Sequence, residues 1–124
     1  MNESREITNI YKGQFVPYDL DGQEQEKITV LNISYDPKLG KGWYAMRLEP
    51  GAETVVHVHD VDEEFLILEG HLIEDDGTIL KPGDFVTYPK GSRHNSRTNT
   101  GCLLIGINHD LYSTFHSCYN WLVN

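Results

Sequence analysis

The sequence predicts an all-β fold, a barrel or sandwich of short strands. Three observations carry that expectation. Runs rich in β-branched and aromatic residues recur, each four to nine residues long. Glycine or proline punctuates the chain every few residues, at Pro50-Gly51, Gly70, Asp76-Gly77, Pro82-Gly83, Pro89 and Gly91. Helical spacing of apolar residues is confined to the last fourteen positions.

The elements follow in chain order. Lys27–Tyr35 (KITVLNISY) is β-branched and alternates over part of its length. Gly42–Leu48 (GWYAMRL) is aromatic and stops at Pro50-Gly51. Glu53–His59 and Glu63–Glu69 come next, the second closing at Gly70. Asp76-Gly77 reads as a type I′ hairpin turn, whose two central residues take positive φ, joining His71–Glu74 to Thr78–Lys81. Phe85–Tyr88, His94–Thr98 and Gly101–Asn108 complete the strands, a count that suits a closed or double-layered β architecture. Beyond them Leu111, Tyr112, Phe115, Cys118, Tyr119, Leu122 and Val123 recur at helical spacing behind Asp110, a residue suited to an N-cap. The segment 109–124 is therefore expected to be an extension carrying a short C-terminal helix, although its Ser, Thr, Asn and Tyr content is poor helix material. The competing reading is one more edge strand.

Composition narrows the function classes. A chain of 124 residues is expected to form one domain, 1–124, with its barrel core over 27–108. A net charge of −9 leaves no face for a polyanion, so no nucleic-acid partner is expected. The longest apolar stretches, Phe65–Leu68 and Cys102–Leu104 continuing to Ile107, fall far short of a membrane span. The start MNESREITNI lacks the basic and apolar regions of a secretory signal, and two cysteines form neither a CxxC pair nor a disulfide framework. A soluble, cytoplasmic domain is the expectation.

The chemistry concentrates in two stretches. The first runs Gly51, five residues, His57-Val58-His59, three residues, Glu63, six residues, Gly70. The second runs Gly83, five residues, Pro89-Lys90-Gly91, two residues, His94. Residues i and i+2 of a strand share a face, so His57 and His59 are expected to converge, with Glu63 at the same parity unless Asp60-Val61-Asp62 resets the phase. Imidazole and carboxylate suit iron, manganese, nickel, cobalt or zinc, and such a set leaves positions open for water or substrate.

These stretches resemble the paired signature motifs of the cupin superfamily, G(X)5HXH(X)3–4E(X)6G and G(X)5PXG(X)2H(X)3N. Every fixed position matches except the last, where Thr98 replaces asparagine. The resemblance implies a double-stranded β-helix, the cupin jelly-roll barrel, with His57, His59, Glu63 and His94 holding one divalent metal, iron or zinc before manganese or nickel. A narrower likeness, in DEEFLILEG and PGDFVTYPKGSRHNSRTNTGC, is to the cupin domain of ChrR-type anti-sigma factors and to single-domain proteins similar to acetylacetone dioxygenase. The first 26 residues are too few for an anti-sigma domain, which disfavours that role. Small cupins are similar in pairing as homodimers through an edge strand, and pairing would remove an exposed edge.

Each residue has a plainer reading beside the functional one. The four ligands could persist without metal, or Glu63 could orient a ligand histidine instead of binding; its neighbour Glu64 reads as a solvent-facing charge. His71, His109 and His116 have no partner spacing and read as surface or capping histidines. Tyr44, Arg47, Phe65, Tyr88 and Cys102 are pocket candidates. An inward Arg47 would favour an anionic or enolate substrate, though base rates put it outside, and Cys102 reads far more readily as a small apolar core residue than as a ligand. The leading function is a metal-dependent, iron(II) dioxygenase of a small organic molecule, with Glu63 available as a base if it leaves the metal. The alternatives are a zinc- or ligand-binding sensory module and a metal-dependent isomerase or lyase.

Overall fold

The computed structural model describes residues 4–20 and 22–110; the expected C-terminal helix, with His116 and Cys118, lies outside the described residues. Every regular element among the described residues is a strand. In chain order they are β1 Val16–Leu20, β2 Gln23–Asn32, β3 Gly42–Leu48, β4 His57–Val58, β5 Asp62–Gly70, β6 Leu72–Glu74, β7 Ile79–Leu80, β8 Phe85–Tyr88, β9 Arg93–His94, β10 Ser96–Arg97 and β11 Cys102–His109.

Six strands form one antiparallel sheet in the order β1-β2-β3-β11-β5-β8. A three-stranded sheet, β10-β6-β7, and the pair β4-β9 make up the rest. Alternation decides which side chains meet. Ile28, Leu48, Phe65, Ile67 and Leu104 of the large sheet join Leu72 and Leu80 of the three-stranded sheet in one buried core. This is the jelly-roll arrangement of a double-stranded β-helix. The opposite face of the large sheet is covered by the N-terminal segment, where Gly13 packs on Leu31 and Phe15 lies under the Arg47 guanidinium at 5.2 Å.

β3 and β8 have the expected bounds, and the other expected strands are present with shifted ends. Three departures have physical reasons. The hairpin β1–β2 was not expected before Lys27, because QEQE is polar on both faces and the short alternation Val16, Tyr18, Leu20 is interrupted by Pro17. Its signal was Asp21-Gly22, which lies between the paired Leu20 and Gln23, with Gly22 at φ 82°. The turn at Asp76-Gly77 is not type I′. Gly77 alone takes positive φ, 88°, and its N–H donates to the Glu74 carbonyl at 2.9 Å, so three residues span the hairpin. Finally, Glu53–His59 contracts to His57–Val58, with Glu53 in a lone bridge to Arg97, and His94–Thr98 splits into β9 and β10.

Glycines 51, 70, 83 and 91 all have positive φ, as turn geometry requires. Gly70 is the most constrained, since a Cβ there would sit 1.9 Å from the Gly101 carbonyl oxygen.

Candidate metal centre

Local backbone bonds draw the two histidine-bearing stretches together. The His59 N–H donates to the Ser92 carbonyl at 3.0 Å, and the Gly91 N–H donates to the His59 carbonyl at 2.9 Å. Asp62 accepts from the Lys90 N–H at 2.6 Å, fixing the start of β5 against the Pro89–Gly91 turn. β4 pairs with β9 so that the His57 backbone stands opposite His94. The His57 side chain lies outside the described residues. On β5 Glu63 shares the inward face with Phe65 and Ile67, between Asn108 of β11 and Tyr88 of β8.

The result is a buried convergence of two imidazoles and a carboxylate. Glu63 Oε1 lies 3.6 Å from His59 Nε2 and 3.5 Å from His94 Nε2. One ligand atom from each of the three residues falls within 4.8 Å of the others. Ligands about 2.1 Å from one ion at tetrahedral to octahedral angles stand about 3.0–3.5 Å apart, so the spacing fits a single divalent ion. It is the two distances from Glu63 that meet this spacing, and the donor set fits as well, since imidazole nitrogen and carboxylate oxygen suit first-row divalent metals.

Tyr44 belongs to this centre, and its reach is unusual. From β3 it spans β11 and donates its hydroxyl proton to Glu63 Oε2 on β5 at 2.9 Å. Gly106 of β11 pairs with Tyr44 in register and has no side chain to block the ring. A Cβ at Gly106 would lie 2.7 Å from the tyrosine Cζ and Oη. Burial, then the adjacent Glu63 charge, push the Tyr44 hydroxyl well above its ordinary pKa, so it remains a neutral donor. Burial acts to raise the Glu63 carboxyl, but the hydrogen bond with His94, the His59 charge and the Tyr44 hydroxyl outweigh it and hold the group low.

A second carboxylate, which the sequence reading missed, holds His94 from behind. Glu74 on β6 is buried and stands 3.4 Å from His94 Nδ1. It also accepts from the Tyr88 hydroxyl at 2.9 Å and from the Ser96 hydroxyl. Burial acts to lower the His94 pKa, but Glu63 and Glu74 on either side raise it to about 9. The parity of Leu72 and Glu74, which puts a carboxylate on a core-facing position, was the available signal. Tyr88 stacks on His94 at 4.1 Å between centroids, and His94 on His59 at 4.7 Å, which fixes both ring planes.

Residues 44–105, half of the 124-residue chain, match the family model of the cupin domain. The chain is a cupin. Solved structures agree on the fold. The polyketide cyclase RemF from Streptomyces resistomycificus superposes with a TM-score of 0.70 at 18% identity, covering 84% of this chain and 78% of that one. An acetylacetone dioxygenase from Acinetobacter johnsonii gives 0.70 at 13% identity, covering 87% and 76%. An RmlC-like cupin from Shewanella frigidimarina gives 0.62 at 21% identity, covering 87% and 93%. No curated protein matches the sequence.

In this cupin a cavity of about 530 Å³ opens beside the centre, reaching Glu63, His94, Tyr44 and Asn108. Of the five pocket candidates only Tyr44 lines it. Arg47 has the opposite parity on β3 and lies on the outer face against Phe15. Phe65 is in the apolar core behind Tyr88, at 6.2 Å between ring centroids, and Tyr88 faces the histidine rings instead of the cavity. Cys102 is a buried core residue whose thiol burial and Glu74 push up to about 12, so it stays protonated. Glu64 points to the outer face, opposite Glu63, and is half-buried there. It accepts from the Thr87 hydroxyl at 2.8 Å and stands 2.8 Å from His109 Nε2, which gives that histidine a partner as well. Thr98, in the asparagine position, is buried and donates to the His71 carbonyl at 2.7 Å, a packing role. Among the described residues no helix is long and apolar enough to cross a membrane.

Proposed function

We propose that this cupin is an iron(II)-dependent dioxygenase acting on a small organic molecule. The observation that carries the reading is the donor set of two histidines and one carboxylate, His59, His94 and Glu63, of which Glu63 and His94 face a cavity large enough for a substrate. That set, with coordination positions left open, is the one associated with non-haem iron oxygenases. In the four-ligand expectation His57 would add a third imidazole. When bound, the ion would supply Lewis acidity and redox capacity to a substrate oxygen and to O₂.

The chain's own residues have definable parts. Glu74 and Ser96 hold the Nδ1 side of His94, so its Nε2 points toward Glu63. Tyr44 keeps Glu63 Oε2 engaged and leaves Oε1 for the centre. The Tyr44 hydroxyl lines the cavity with its one proton already given to Glu63, so it can offer a substrate only an acceptor lone pair. Val30, Met46, Leu48 and Leu104 give the cavity an apolar wall. Glu63 can take a proton from substrate if it leaves the centre.

The test is oxygen uptake by anaerobically purified, iron-loaded protein screened with β-dicarbonyl and phenolic compounds. Uptake is expected with at least one class and is expected to vanish in His94→Ala. Conversion of these compounds at equal rate without oxygen would replace the reading with an isomerase or lyase. Full activity with zinc alone would do the same.

A further inference from the structure

We infer that the cavity selects an uncharged molecule with an apolar body, its oxygen atoms gathered at the end that meets the centre. The inference rests on the enzyme reading above and deepens it by naming the substrate class.

Three observations carry it. First, no lysine or arginine lines the cavity among the described residues, whereas two carboxylates, Asp19 and Glu63, do. Arg47, the one cation among the pocket candidates, is on the far face of the sheet with its guanidinium over Phe15. A negative charge at the far end of the substrate would therefore enter the cavity with no cation to pair it. Second, several polar groups of the lining are committed to the protein, and Asn108 Oδ1, buried without a partner among the described residues on the strand position opposite Glu63, leaves its open acceptor at the end that meets the centre. Asn32 uses both ends of its amide on the Tyr35 backbone, at 2.9 and 2.8 Å. Thr54 donates to the Ser96 carbonyl at 3.3 Å, Ser96 to Glu74, and Tyr44 to Glu63 at 2.9 Å. A sugar or other polyol needs several uncommitted partners and would leave its hydroxyls unsatisfied here. Third, what remains away from Glu63 and His94 is mostly apolar wall, with Val30, Met46 and Leu104 facing inward.

The test uses matched probes on zinc-loaded protein, which binds without oxygen chemistry. 4-Methylcatechol is compared with 3,4-dihydroxybenzoate, and benzoylacetone with its para-carboxylate. Each pair shares its metal-facing oxygens and differs only at the far end. By calorimetry the uncharged member is expected to bind at least about tenfold more tightly in one pair or both. Met46→Lys, which puts a cation in the wall, is expected to narrow or reverse that preference, and Arg47→Ala on the outer face to leave it unchanged. Equal binding within the pairs, preference for the carboxylates, or no binding of any probe overturns the inference. A selective cavity in a protein that takes up no oxygen would remove the dioxygenase reading and leave the substrate class standing.

Discussion

At the scale of single residues the centre depends on side chains that never touch the ion. Glu74 holds His94 through Nδ1 and is itself held by Tyr88 and Ser96. Removing it frees the imidazole to rotate and leaves the Tyr88 and Ser96 hydroxyls without an acceptor. Glu74→Ala is expected to weaken metal binding about ten- to a hundredfold, with Glu74→Gln falling between it and the native protein. A chelator-competition titration with zinc measures this, and unchanged affinity in the alanine variant would contradict the role. Gly106 is the second such residue. Its φ is not positive, so alanine costs little in backbone energy, yet its Cβ would strike the Tyr44 ring 2.7 Å away. Gly106→Ala and Tyr44→Phe are each expected to weaken metal binding by about tenfold, and the double variant by little more than either. Fully additive losses would show that Gly106 does not act through Tyr44.

At the scale of elements, glycines at turns are not equivalent. Gly70 ends β5 at φ 73°, beside the register shift in the β5–β11 pairing, and its missing Cβ makes way for the Gly101 carbonyl. Gly77 has φ 88° but nothing within 4 Å of its absent Cβ. Urea unfolding is expected to show Gly70→Ala destabilised by about 3 kcal/mol or more and Gly77→Ala by about 1 kcal/mol. Equal losses would mean that conformation alone, not the close approach, sets the cost. The same contrast explains what was legible. β3 and β8 could be read to the residue because glycine or proline brackets an apolar or aromatic run. The start of β2 is polar on both faces and β1 alternates over only Val16, Tyr18 and Leu20 around Pro17, so Asp21-Gly22 is the firmest mark of the hairpin. That omission had a consequence, because Tyr18 and Gln25 of this hairpin form part of the cavity wall.

At the scale of the whole molecule the two layers divide the work. One face of the large sheet builds the core, the cavity and the centre, while the other packs under the N-terminal segment. The residues of the centre were legible where short spacings along the chain relate them: His59 and Glu63 within one stretch, and His94 behind the Pro89–Gly91 turn. Tyr44, Glu74 and Gly106 come together only through pairing between distant strands, for which no local pattern exists. Arg47 shows the converse, since parity on an isolated strand does not say which face is the inner one. Everything functional here rests on the proposition that His59, Glu63 and His94 hold a divalent ion. The direct measurement is metal content after anaerobic purification without an affinity tag, on the native protein and on His57→Ala, His59→Ala and His94→Ala. About one equivalent per chain is expected in the native protein, with loss in His59→Ala and His94→Ala, and loss in His57→Ala if the fourth ligand is present. No bound metal in any of them, or equal metal in all, would contradict the centre.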